Sequence, residues 1–252
     1  MILAIDIGNT LVHAGVFEST KLIRNSSFRI SKTKDLLKIL NKLTSNCSID
    51  NIGISSVVTN NEFIKSASNR LFKIRPIFIN GKLRLPIKLK VKNKSSIGAD
   101  RICNAVYGYK IYKSKDNVLI IDAGTAITYD FVLKNGDFLG GAIAPGLNTM
   151  AKSLNFFTSK LPLVNKRDLI FQMDPIGNDT INALRSGILS SIIDSIDGMI
   201  QRIKDFKRVD YKTILTGGDA QLLKPFLKQK VVIKQNTVLE GINLILQYLN
   251  GN

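Results

Sequence analysis

Apolar and polar positions alternate along this chain in blocks that name their own elements. Residues 2–6 form an apolar run closed by Asp6. The turn Ile7-Gly8-Asn9-Thr10 follows, and a second apolar run covers 11–17. Two apolar runs around a polar turn with a glycine predict a β-hairpin. A third strand is expected over 27–30. Apolar residues at 36, 37, 40 and 43 have helical spacing, so a helix is predicted over 34–43. Strands are predicted over 51–58 and 76–79, and helices over 60–72 and 97–112. Residues 86–92 alternate apolar side chains with Lys88, Lys90 and Lys92, the period of a strand with one wet face.

The pattern then starts again. The stretch 118–133 overlays 2–17 at an offset of 116, placing Asp122 on Asp6 and Gly124 on Gly8. A third strand follows at 137–144. A long helix is predicted over 179–206 from apolar residues at 181, 184, 188, 192, 193, 196, 199, 200 and 203. Asn178, Asp179 and Thr180 are its candidate capping residues. Strands at 212–215 and 231–233 and helices at 219–227 and 238–249 complete the chain. An internal repeat of this kind predicts two related α/β domains, 1–115 and 116–252, joined through the polar stretch 113–117.

The two hairpin turns carry candidate chemistry. An Asp at the end of a buried strand is costly unless a cation or hydrogen-bond donors meet its carboxylate. Gly8 lets backbone approach a ligand closely, and the amides of Asn9 and Thr10 can face an anion. Asp6 could hold a hydrated Mg²⁺, a hard ion that takes carboxylate and phosphate oxygens. Asp122-Ala123-Gly124-Thr125 repeats the arrangement, with Thr128 as a further hydroxyl. One such turn is ordinary strand-end chemistry; two copies, one per half, predict a pair of phosphate-facing hairpins. Glycine-rich strand-to-helix turns occur again at Thr216-Gly217-Gly218 and at Gly140-Gly141 through Pro145-Gly146. Neither a P-loop nor a GxGxxG motif is present.

Composition changes the picture only in places. The 252 residues carry 36 Lys+Arg against 19 Asp+Glu, a net charge of +17. Ten of the bases, and no acid, lie within 63–99. Such a segment suits a solvated surface, steering of a small anion, or nucleic acid. No run reaches the 18 or so apolar residues of a membrane span, and residues 1–6 lack the features of a signal peptide. Two cysteines, Cys47 and Cys103, are too few for a disulfide framework. A cytoplasmic location is expected, with no membrane partner.

The ordered set Asp6-Ile-Gly8-Asn9-Thr10, Gly98-Ala99-Asp100-Arg101, Asp122-Ala-Gly124-Thr125-Ala-Ile-Thr128, Gly140-Gly141 with Pro145-Gly146, and Thr216-Gly217-Gly218 resembles type III pantothenate kinase. The resemblance spans 2–220. It implies two RNase H-like (actin-like ATPase) domains with mixed sheets and a nucleotide site in the cleft between them. It further implies a homodimer that phosphorylates pantothenate with ATP, Mg²⁺ and a monovalent cation, K⁺ or NH₄⁺. By the same resemblance Asp6, Ile7, Gly8, Asn9, Thr10, Leu11, Val12 and His13 form the first phosphate turn. Thr125, Thr216, Gly217 and Gly218 contact ATP, and Asp122 holds the monovalent cation. Gly98, Ala99, Asp100, Arg101 and Thr180 bind pantothenate, with Asp100 as proton acceptor.

The residues themselves leave alternatives. Asp100 could cap a helix, Arg101 could form a surface ion pair, Thr180 could cap the long helix, and His13 could simply pack. Where the family commonly shows a substrate-contacting Tyr, this chain has Val91, so no contact is carried over for 88–96. Two other functions therefore remain at this point. The basic segment suits an inactive regulatory homologue that binds nucleic acid or protein. Val91 suits a kinase acting on another alcohol.

Overall fold

The computed structural model describes residues 1–29, 33–58, 62–112, 115–169 and 174–251. They form two compact units. The first comprises 1–115, 132–140 and 236–252; the second comprises 116–131 and 141–235. The division is thus not a single cut, because two later segments belong with the first unit.

In the first unit, β1 (Ile2–Ile7), β2 (Val12–Glu18), β3 (Lys21–Phe28), β4 (Asn51–Ser56) and β5 (Ile77–Phe78) make a five-stranded sheet in the order β3-β2-β1-β4-β5. The hairpin strands pair antiparallel, and β4 runs parallel to β1. Alternation decides what each face buries. Leu3, Ile5, Ile7, Val12, Ala14, Val16, Ile52 and Ile54 pack with Leu36, Leu40 and Leu43 of α1 (Thr33–Leu43) and with Ile64 and Ala67 of α2 (Glu62–Phe72). The other face takes α3 (Ala99–Ile111) and α8 (Thr237–Leu249). These two helices cross so closely that a Cβ on Gly241 would stand 2.1 Å from the Cys103 carbonyl oxygen. Thr237 Oγ1 donates to Asn104 Oδ1 at 2.6 Å within the same buried seam.

β3 starts well before the predicted 27. Its first residues, Lys21 to Asn25, alternate poorly because the strand lies at a sheet edge. Only Lys88–Leu89 of the predicted 86–92 strand is regular: β6, parallel to the start of β9 (Asp137–Pro145). Lys88 and Lys90 are exposed and Leu89 is buried, as period two requires.

In the second unit, β7 (Asn117–Ala123), β8 (Ala126–Val132), β10 (Tyr211–Thr216) and β11 (Val232–Ile233) lie in the order β11-β10-β7-β8. β10 runs parallel to both β7 and β11. The long helix α6 (Thr180–Lys207) buries Leu184, Ile188, Leu189, Ile192, Ile196 and Ile200. Its cap is Asp179, whose Oδ1 accepts the Asn182 N–H at 2.8 Å. It ends where Arg208 turns left-handed. α4 (Leu147–Phe157) is the helix that the strand-to-helix turn ending at Gly146 leads into, for which no range was predicted; α5 (Lys166–Leu169) was not anticipated. The predicted 219–227 helix is a short α7 (Ala220–Leu223) that tightens into a 3₁₀ turn at Lys224–Phe226, where Pro225 cannot donate.

The repeat survives in the backbone, with one slip. Gly8 N–H donates to Leu11 O and Gly124 N–H to Ala126 O, each at 3.0 Å. The second turn is one residue shorter, so the offset of 116 holds up to the glycine and becomes 115 beyond it.

Candidate active site

In the first unit, β1 delivers Asp6 to the mouth of the hairpin. Asn9, Thr10 and Leu11 are exposed around the Gly8–Leu11 turn. Ile7 and Val12 are buried in the core, so their side chains anchor the turn and only their backbone can serve a ligand. His13 stands opposite Asp6 in the hairpin register. Its Nδ1 lies 2.6 Å from Ser27 Oγ, and burial lowers its pKa, which favours the neutral ring.

α3 delivers the second carboxylate. Gly98 is the N-cap and Asp100 the second helical residue. Asp100 Oδ1 accepts the Arg101 N–H at 2.8 Å and lies where a Cβ on Gly98 would come within 2.4 Å. The glycine therefore leaves room for the carboxylate, and Asp100 is not the cap itself. Burial raises its pKa, opposed by the Arg101 N–H and charge. One helical turn on, the buried Cys103 thiol is pushed well up, by burial first and then by the charges of Asp6 and Asp100. Both carboxylates are thus felt by one sulfur, so strand β1 and helix α3 bring them into one neighbourhood.

In the second unit, Asp122 pairs in register with Thr216, at the carboxyl ends of two parallel strands. Ligands of open α/β sheets bind at such ends. Gly217 has φ +92°, and a Cβ there would stand 2.4 Å from both Ala123 O and Asp122 Oδ1. The Asp219 N–H donates to Ala123 O at 2.9 Å, while Gly218 faces open space. Thr125 is held through its carbonyl by the Gly146 N–H at 3.0 Å and by Thr149 Oγ1 at 2.6 Å. Asp122, Thr125, Thr216, Gly217 and Gly218 are therefore gathered at one strand end. Thr180 stands exposed on the first turn of α6, a different element.

The family model for type III pantothenate kinase matches residues 2–202. The curated type III pantothenate kinase of Persephonella marina is 35% identical over 100% of both chains. The chain belongs to the type III pantothenate kinase family. Solved structures agree in fold. The ROK hexokinase of Thermus thermophilus superposes with TM-score 0.54 at 14% identity, covering 100% of this chain and 99% of the other. The ADPNP-bound activator of 2-hydroxyisocaproyl-CoA dehydratase from Clostridium difficile gives 0.58 at 13%, covering 99% and 96%. This chain shares the fold of those two proteins. No helix among the described residues is long and apolar enough to cross a membrane.

Against the family's motifs, three residues went unmarked in the sequence. Thr149 and Asp219 hold the backbone of the strand-end turns, and Lys166 pairs with the buried Asp219. Asp219 directly follows the double glycine, which was a usable signal; Lys166 offered none. Val91, at the family's Tyr position, packs where a Cβ on Gly140 would meet its Cγ1 at 3.3 Å.

The basic segment runs into Gly98 with Lys82, Arg84, Lys88, Lys90, Lys92 and Lys94 all exposed. Arg84 lies over the Tyr248 ring at 5.1 Å. A field of this sign raises encounter rates with anions and is screened by salt. Charge reversal of Lys90, Lys92 and Lys94 together should lower kcat/KM at low ionic strength and have little effect near 0.5 M salt. Steady-state rates across a salt series check this; a deficit independent of salt would remove the steering role.

Proposed function

We propose that this protein transfers the γ-phosphoryl group of ATP to the 4′-hydroxyl of pantothenate, the first step toward coenzyme A. What supports it, beside family membership, is that Asp6 faces the side of its sheet on which α3 packs, the helix whose first turn carries Asp100. Phosphoryl transfer asks for positioning, charge neutralisation and a proton acceptor for the attacking hydroxyl. Asp100 takes the hydroxyl proton as the oxygen–phosphorus bond forms and the bond to the ADP oxygen breaks. Gly98, Ala99 and Arg101 hold pantothenate beside it, with Arg101 on the carboxylate and Thr180 as a further contact. The Asp6–His13 turn receives the phosphates. Thr125, Thr216, Gly217 and Gly218 line the ATP site.

The donor set suits hard cations. Among the described residues no three His, Cys, Asp or Glu side chains gather into a metal site. Single carboxylates with backbone carbonyls around them fit ions that keep water or phosphate ligands. Asp6 would hold Mg²⁺ through water and Asp122 a monovalent cation; bound there, the ions would neutralise phosphate charge. Asp122→Ala should abolish stimulation by K⁺ in a titration of rate against KCl at constant ionic strength. An unchanged response would assign the cation elsewhere.

The two halves 1–115 and 116–252 are taken as two copies of one ancestral domain. A homodimer is supported by the apolar surface of the second unit. Phe156 and Phe157, each 81% exposed and stacked edge-on at 5.0 Å, lie at the end of α4, and Ile181 is exposed on α6. A second copy would cover them. The protein works in the cytoplasm on small molecules. The decisive experiment is ADP release coupled to a reporter, with pantothenate and a panel of sugars. Turnover with a sugar alone, or with no alcohol at all, would refute the assignment.

A further inference from the structure

Strand register places one more residue beside the phosphate turn. β1 lies between β2 and β4, so Asp6 stands opposite His13 on one side and Ser55 on the other. His13 in turn stands opposite Ser27 on β3. Registered neighbours project to the same face of a sheet. Ser27, His13, Asp6 and Ser55 therefore form one polar row across four strands. The row lies on the α3/α8 face, since Leu3, Ile5, Val12, Ala14, Ile52 and Ile54 occupy the other. One end is closed by the Ser27–His13 hydrogen bond. The other end is not. Ser55 is fully buried, and its Oγ has no hydrogen-bond partner among the described residues.

A buried hydroxyl without a partner costs stability, and alanine of nearly the same shape would avoid that cost. Ser68 on α2 is a second buried serine in the same condition, but nothing proposed above stands beside it. Ser55 differs in that its strand neighbour is the carboxylate at the phosphate turn.

We propose that Ser55 is a positioning residue for the phosphate site, its hydroxyl donating to the Asp6 carboxylate when the turn takes up its nucleotide. Asp6 is then held between a donor on β4 and the imidazole on β2. The orphaned hydroxyl is a donor kept in reserve for the loaded state. This proposal rests on the phosphate-facing role given above to the Asp6 turn.

The test compares Ser55→Ala, Ser55→Thr and Ser68→Ala in the full chain. Each is measured for KM with ATP, KM with pantothenate, affinity for a non-hydrolysable ATP analogue with Mg²⁺ by calorimetry, and thermal midpoint. Hydrogen bonds to charged groups predict that Ser55→Ala weakens the analogue and raises KM for ATP by about tenfold. KM for pantothenate stays unchanged, and the midpoint is equal or higher. Ser55→Thr, which keeps the hydroxyl, restores most of the affinity. Ser68→Ala changes no kinetic constant. Wild-type analogue affinity in Ser55→Ala overturns the proposal, as does a loss that tracks a fall in midpoint. If the wild-type protein releases no ADP with pantothenate, the substrate assignment fails, while the calorimetric comparison still decides Ser55.

Discussion

Replacing Asp100 by Asn should lower turnover with pantothenate by about two to four decades, the usual size of a general-base effect, and leave nucleotide affinity within about twofold of wild type. Asn has the same shape. Its Oδ1 can still accept the Arg101 N–H now bonded at 2.8 Å, and it fits the space that Gly98 leaves. Helix α3 therefore starts as before, and only the proton acceptor is gone. Burial raises the Asp100 pKa, so the wild-type rate should climb as pH passes upward through that raised value; the variant lacks this limb.

The sign for stability follows from the same shift. A carboxyl whose pKa is raised on folding favours the fold when protonated, at pH below its unfolded value. That contribution is lost as pH rises through the folded value. At neutral pH the variant should melt at the wild-type temperature or above it, and the difference should vanish in acid. Rate–pH profiles and thermal melts check both statements. Near-wild-type turnover in the variant would remove Asp100 as the base.

Gly217→Ala should abolish nucleotide binding at ordinary concentrations and lower stability. At φ +92° a side chain costs about 1–3 kcal/mol in backbone strain alone. The new methyl would also stand 2.4 Å from Ala123 O and Asp122 Oδ1. Ala123 O cannot yield easily, because it receives the Asp219 N–H. The turn must therefore move, and it carries Asp122 and Thr216 with it. Gly218→Ala is the control: nothing stands within 4 Å of its Cβ position, so any effect there reports on ligand contact rather than folding. Calorimetry and melting curves of the two variants separate these causes. Wild-type affinity in Gly217→Ala would show that the double-glycine turn does not face the nucleotide.

What could be foreseen from the sequence was local. The Asp-x-Gly turns, the helix bearing Asp100, and the α6 stripe from Leu184 to Ile200 all announce themselves through neighbours in sequence. The glycines ending at Gly146 announced a strand-to-helix turn, but the extent of α4 was not drawn from Leu147, Met150, Ala151 and Leu154, which have helical spacing. β3 was shortened because an edge strand need not alternate. Ser55 was invisible for a different reason. Its neighbour Asp6 is reached only across a strand pair, and register is a property of two segments together. The same holds for Cys103, which is silent in sequence yet lies where the charges of Asp6 and Asp100 are both felt.

The place of α8 has a consequence for how the protein is made. The first unit owns residues 1–115, but it also owns 236–252, and α8 lies in the seam with α3 where Gly241 meets the Cys103 backbone. A ribosome that has released 115 residues has not yet made that unit. The part of that face which α8 covers stays open until residues 237–249 are made, while the second unit emerges complete in between. The nascent chain thus holds an apolar surface open while residues 116–236 are added. A chain that stops before residue 237 leaves the N-terminal sheet, and the Asp6 turn on it, without α8.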